Sequence, residues 1–264
     1  MTRLLIVGGG RMGEALLGGL IQAGWAPAEQ LAVSETDPHR REALADRFPG
    51  LATSAEPVAA DGVVIAVKPQ HVAGVADQLS GLGATTPKRV LSIAAGITLT
   101  VLESHLPAGT AVVRAVPNTP SLVGAGAAGI SAGTTASVDD LAWATGILEA
   151  VGTVIEVPEP QLDAVTGLSG SGPAYVFLVA EALIEAGVLV GLSRTTAIDL
   201  TIQLLLGSAR LLSEVGDAPA ELRAAVTSPG GTTAAGLREL ERAGVRAAFL
   251  DAVAAATARS RELG

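Results

Sequence analysis

Apolar positions follow two regimes along this chain. In the first half, short apolar runs alternate with stretches whose apolar residues recur every three or four positions. Residues 3–7 form a run of the length of a buried parallel strand. Residues 12–23 have helical spacing and stop at Gly24. Residues 31–34 read as the next strand, followed by a polar helix over 38–48. Residues 62–67 are rich in β-branched side chains, and Pro69 then opens a helix reaching residue 82. A strand over 89–93, a helix over 98–106 and a strand over 111–116 continue the alternation. This order predicts a parallel sheet with helices on both faces.

From about residue 162 the strand signals stop. Pro173 opens a nearly all-apolar helix over 174–186, after a glycine-rich loop at 167–172, and Gly187 ends it. Further helices are predicted over 194–215, 220–226, 232–242 and 246–262. A helix apolar all round has to be buried on every side. A helical domain of about 100 residues is small for that task, so part of the burial is expected against a second subunit, as a homodimer. The expected domains are residues 1–160, α/β, and residues 161–264, all-α.

Between the first strand and first helix stand Gly8, Gly9, Gly10, Arg11, Met12 and Gly13, with Gly-x-Gly-x-x-Gly spacing. Gly8 permits a tight turn, Gly10 lets a pyrophosphate approach, and Gly13 lets the helix pack on the sheet. The N-terminus of the helix then faces the phosphates. Glu35 ends the next strand, in the position of a ribose-binding carboxylate. Strand, turn, helix and acid together point to a dinucleotide; the bland alternative is a glycine-rich turn. Residues 124–129 match the same spacing without that context and read as loop and strand. Glu35 favours NAD, whereas Ser34, Thr36, Arg40 and Arg41 could receive the 2′-phosphate of NADP, so the sequence leaves that choice open.

A second glycine-rich helix start lies at Ser228, Pro229, Gly230, Gly231, Thr232 and Thr233. The first N–H groups of a helix have no partner within it. With the hydroxyls of Ser228, Thr232 and Thr233 beside them, those near Gly231 offer an anion site. A capped helix after a glycine-rich loop is the other reading.

Composition narrows the chemistry. The 264 residues are 49% hydrophobic but only 2% aromatic, so the core must be aliphatic. A net charge of −9 argues against nucleic acid as a partner. There are no cysteines, which excludes disulfides and thiol catalysis and fits a cytoplasmic protein. His39, His71 and His105 lack metal-site spacing, and no metal is expected. No signal peptide is read at the start, and no stretch reaches the roughly 18 uninterrupted apolar residues of a membrane span. The only lysines are Lys68 and Lys88. Trp25 and Trp143 read as packing residues; Glu181 and Glu185 read as solvated or paired at an interface.

Three segments together resemble the pyrroline-5-carboxylate reductases: residues 8–13, residues 163–177 around Gly167, Ser169, Gly172 and Tyr175, and residues 222–241 around the Ser228 turn. Residues 66–69, 94–96 and 118–120 match as well, so the likeness spans the chain. The resemblance implies a Rossmann-type domain followed by a dimerisation domain of the 6-phosphogluconate dehydrogenase C-terminal type. It implies dimers that often assemble into decamers, and reduction of 1-pyrroline-5-carboxylate to L-proline with NADPH or NADH. By that likeness Val67, Lys68 and Pro69 line the cofactor, and Ala95 and Asn118 lie towards its nicotinamide. The turn from Ser228 through Gly231 and Thr232 binds the substrate carboxylate, Thr233 reaches the ring nitrogen, and Glu159 borders the site. One departure is Ala55, where some members carry asparagine. A 3-hydroxy-acid dehydrogenase would resemble the glycines at 167, 170 and 172, but its lysine falls on Val176 and its asparagine on Ala180. A serine hydrolase fails because neither Ser169 nor Ser171 completes Gly-x-Ser-x-Gly. A cofactor-sensing protein without catalysis has no need of the Ser228 turn.

Overall fold

The computed structural model describes residues 2–264. They pack as two units, one running to Ser171 and including Ala255–Gly264, the other spanning Gly172–Ala254.

The first unit is built on eight strands: β1 (Leu4–Val7), β2 (Leu31–Ser34), β3 (Ala52–Ser54), β4 (Gly62–Ile65), β5 (Arg89–Ser92), β6 (Ala111–Pro117), β7 (Gly126–Ala132) and β8 (Gly152–Glu156). Its helices are α1 (Arg11–Gln22), α2 (Pro38–Arg47), α3 (Val72–Ser80), α4 (Leu99–His105), α5 (Val138–Leu148) and α6 (Leu162–Val165). The strand order is β3-β2-β1-β4-β5-β6-β7-β8, and every neighbouring pair is parallel except β6 with β7. Because β1 leads to β2 on one side and the chain later crosses to β4 on the other, the order reverses at β1. That reversal opens a crevice at the carboxyl ends of β1 and β4, where open α/β sheets bind ligands.

Both faces of the sheet are covered, which is why its central strands read as unbroken apolar runs. Leu4 and Ile6 of β1 pack with Leu16, Leu17 and Leu20 of α1 and with Ile147 of α5. Leu5 and Val7 face the other way, towards Val75 and Leu79 of α3 and Leu102 of α4. Each buried leucine contributes about 1.5–3 kcal/mol to folding. Trp143 packs over the start of β4 and Trp25 against the first core, with the Arg3 guanidinium 4.0 Å above the Trp25 ring. α5 begins with a capping box in which Ser137 and Asp140 bond reciprocally, and Asp140 also pairs with Arg89 of β5 at 2.7 Å. Burial pushes the Asp140 carboxyl up, but Ser137's hydroxyl and N–H and the Arg89 guanidinium outweigh it and hold it below the ordinary carboxylate range.

Three expectations change. Residues 167–172 are not a loop. Thr166–Gly170 is a π-helical turn that joins α6 to the next helix, closed by Ser171 N–H donating to Thr166 O at 2.8 Å. Its small residues have a loop-like composition, but the side chain of Asn118 donates to Ser169 O and holds the turn. The division in packing also falls after the expected boundary of 160/161. α6 lies on β7, and Ser260 from the last helix donates to Asp163 at 2.7 Å, tying both ends of the helical segment to the first unit.

The third change concerns the second unit, which holds α7 (Gly172–Leu189), α8 (Arg194–Val215), α9 (Pro219–Ala225), α10 (Thr232–Arg242) and most of α11 (Val245–Leu263). α7 packs on α8, where Ala197 closes against Gly187. Yet no residue of α7 is buried within this chain, and Leu189 is 86% exposed. The continuous helical stretch Glu159–Leu189 is long and apolar enough, at mean hydropathy 1.5, to meet the length and composition of a membrane span. A search for uninterrupted apolar residues misses it because Gly, Ser and Glu break the run.

Candidate active site

The glycine loop follows β1 directly. Gly8 takes φ +106°, and a Cβ there would stand 2.6 Å from Ala66 O. A Cβ on Gly13 would overlap the carbonyl oxygen of Gly8. These two glycines are demanded by the fold itself. Gly10 is different: nothing lies within 4 Å of the place its Cβ would occupy, although it caps α1 with φ −67°, open to any residue. Its missing side chain leaves an open cradle at a helix start that no side chain caps. Arg11 and Met12 form the first turn of α1 above that cradle.

Ser34 and Glu35 close the neighbouring strand end, in register with β1 through the pair Val7 and Ser34. Ser34 is buried and its hydroxyl points to Ala55 O at 3.5 Å. The Glu35 carboxylate is fixed by Gly9 N–H at 2.9 Å, Asp37 N–H at 3.1 Å and the Thr36 hydroxyl at 3.3 Å. Arg40 donates to Gly9 O at 2.7 Å and forms an ion pair with Glu14. Arg41 donates to Glu35 O at 2.6 Å and to Thr36 O at 3.0 Å.

Val67, Lys68 and Pro69 follow β4 on the other side of β1. Val67 packs beside Gly8, while Lys68 is exposed and precedes a 3-10 turn opened by Pro69. Ala95 lies exposed after β5, next to Gly96, whose φ of +74° disfavours a side chain and where a Cβ would stand 3.1 Å from Leu263 O. Thus Gly8, Gly10, Arg11, Met12, Gly13, Ser34, Glu35, Val67, Lys68, Pro69 and Ala95 all lie at or beyond the carboxyl ends of four adjacent parallel strands. Asn118 follows β6 and is buried. Its amide is bonded at both ends, donating to Ser169 O at 3.1 Å and accepting from Ala127 N–H at 2.9 Å. A cavity of about 700 Å³ lies along α1, between it and residues 121–124, and takes in only Arg11 of these residues.

The turn before α10 belongs to the second unit. Gly230 has φ +70°, and Gly231 N–H closes on Ser228 O at 3.0 Å. Gly231 is the N-cap of α10, and no side chain caps the helix. Gly231 thus caps α10 through its backbone, after a glycine-rich turn, and a Cβ there would crowd Ser228 Oγ at 2.6 Å. Ser228 and Thr232 are exposed and Thr233 is partly buried. Thr232 and Thr233 open the helix with their backbone N–H groups uncapped by any side chain.

One pair was not legible in the sequence. Arg114, 5% exposed on β6, pairs with Glu159 at 2.9 Å, and the same carboxylate oxygen accepts Leu99 N–H at 2.7 Å. Glu159 thus anchors the start of α4. Arg114 Nε is buried without a partner among the described residues. Glu185, on α7, pairs with Arg194 at 2.9 Å.

Comparison with known proteins agrees with this architecture. Residues 159–263 match the family model described as pyrroline-5-carboxylate reductase dimerisation, and residues 3–96 match that of NADP oxidoreductase, coenzyme F420-dependent. The pyrroline-5-carboxylate reductase of Mycobacterium tuberculosis strain H37Rv is 47% identical, with 100% of this chain and 97% of the relative covered. A solved pyrroline-5-carboxylate reductase from Coxiella burnetii superposes with a TM-score of 0.93 at 39% identity, covering 100% of this chain and 98% of that one. The Plasmodium falciparum pyrroline carboxylate reductase, solved with NADP bound, gives 0.86 at 30% identity, covering 100% and 98%. A prephenate dehydrogenase from Aquifex aeolicus, at 15% identity and 0.56, shares the fold alone. Over its full length, this chain belongs to the pyrroline-5-carboxylate reductase family.

Proposed function

We infer that this protein reduces the ring C=N bond of 1-pyrroline-5-carboxylate to give L-proline, the last step of proline biosynthesis. The observation that carries the reading is the bare cradle at Gly10, in a chain matched end to end by reductases of that name. NADH or NADPH, when bound, supplies the hydride. Gly8, Gly10, Arg11, Met12 and Gly13 would hold its pyrophosphate, Ser34 and Glu35 its adenosine ribose, and Val67, Lys68, Pro69, Ala95 and Asn118 the remainder.

The substrate carries a carboxylate and a basic imine nitrogen. The Gly231 N–H is taken by Ser228 O, but the N–H groups of Thr232 and Thr233 at the start of α10, with the Ser228 hydroxyl, suit the carboxylate. The imine is protonated readily in water, so the site needs no strong acid of its own. A chain without cysteine, and without lysine after Lys88, suits such a substrate. Thr233 orients the ring nitrogen by hydrogen bonding, and catalysis consists mainly of holding the reacting carbon in place. In the same reading two subunits jointly form each site, dimers assemble further into decamers, and the enzyme works in the cytoplasm without nucleic acid or membrane.

The test of the substrate half is Thr233→Ala. The variant should raise KM for 1-pyrroline-5-carboxylate or lower kcat by about tenfold, the loss of one oriented hydrogen bond. Its thermal unfolding should match the native protein. Unchanged kinetics would remove Thr233 from the mechanism.

A further inference from the structure

We propose that Glu35 makes the nucleotide site discriminate in favour of NADH over NADPH. The proposal deepens the nucleotide-site reading above and rests on it. A 2′-phosphate needs hydrogen-bond donors and positive charge; a free 2′-hydroxyl needs an acceptor. In this loop the Ser34, Thr36, Arg40 and Arg41 side chains each already have at least one protein partner. The Thr36 hydroxyl donates to Glu35, and the Ser34 hydroxyl is turned to Ala55 O. Arg40 is held by Glu14 and by Gly9 O. Arg41 holds the Glu35 and Thr36 carbonyls through one guanidinium nitrogen. Asp37 accepts His39 N–H at the start of α2 and adds a second carboxylate to the same loop.

The acceptor, by contrast, is built in. A carboxylate has about four lone-pair sites. Glu35 uses three of them, for Gly9 N–H, Asp37 N–H and the Thr36 hydroxyl. Those bonds fix its orientation and leave one acceptor site for a ribose hydroxyl. Since Gly9 belongs to the glycine loop, the carboxylate is locked to the segment that would carry the pyrophosphate. A 2′-phosphate placed there would meet a fixed negative charge that cannot swing aside without releasing the loop. Arg41 is the only cation in this loop without a carboxylate partner among the described residues, which makes it the natural control.

The test is calorimetric titration of the purified protein with NADH and with NADPH, without substrate. NADH should bind at least about tenfold more tightly, the worth of one charge-assisted hydrogen bond against one repulsion. Glu35→Gln keeps an oxygen for Gly9 N–H and removes the charge; it should bring the two constants within about threefold, with NADPH gaining. Arg41→Ala should leave both constants within about twofold. Thermal unfolding checks each variant, and the native titration stands even where a variant fails to fold. Equal or tighter binding of NADPH by the native protein overturns the proposal, as does an NADPH constant that collapses in Arg41→Ala. NADPH preference with normal proline formation would overturn the discrimination alone. Binding of neither nucleotide would overturn the site reading with it.

Discussion

Three glycines of one fingerprint serve different masters. Gly8 and Gly13 are fixed by contact: one would strike Ala66 O, the other Gly8 O, if either carried a Cβ. Gly10 meets nothing and has an ordinary backbone conformation. Gly13→Ala should therefore destabilise the protein by about 1–3 kcal/mol, as overpacking does. Gly10→Ala should fold with an unchanged or slightly raised melting temperature and bind nucleotide at least about tenfold more weakly. Thermal melts and nucleotide titrations of the two variants separate the roles. If Gly10→Ala binds nucleotide normally, the cradle is not where the pyrophosphate lies. The fingerprint was readable from spacing alone, but the division of labour was not, because both kinds of position demand glycine. Nor was the state of Arg40 readable. Its partners Glu14 and Gly9 lie 26 and 31 positions away.

At the scale of elements, the sheet's central strands and most helices are legible because their apolar periods are clear. β3 has three residues, none of them buried, and β8 is largely exposed, so neither leaves a pattern. α5 did leave one: Ser137 followed three residues later by Asp140 is a capping signal ahead of an apolar stretch. The π-helical turn was hidden by its small residues, since its partner Asn118 lies 51 positions away. The same distance problem hid the pair of Arg114 and Glu159. By resemblance Glu159 is a site residue; in the fold it neutralises a buried arginine and caps α4. Both can be true, and stability separates them. Glu159→Gln leaves Arg114 buried without a counter-charge and should cost about 2–3 kcal/mol by denaturant unfolding. Adding Arg114→Met should restore most of that loss. A Glu159→Gln variant as stable as the native protein would show that the pair contributes nothing to folding.

For the whole molecule, the two units were legible as a change of regime near residue 162, and the family model begins at 159. The contact boundary falls later because α6 packs on the sheet and the end of α11 bonds to α6 through Ser260 and Asp163. Sequence reasoning required α7 to be buried, in part against a second subunit; the chain alone leaves it bare, with Phe177 61% and Leu178 65% exposed. An apolar helix of this kind, in a segment matched by a dimerisation model, is accounted for by association with further subunits. The sequence reading places part of that burial against a second subunit, and the face left exposed in the single chain agrees with it.

The central claim is the reaction itself. Purified protein mixed with 1-pyrroline-5-carboxylate and NADH or NADPH should consume the nicotinamide absorbance band and form L-proline mole for mole. No loss of that band with either nucleotide, in protein shown to be folded and able to bind one of them, would contradict the account.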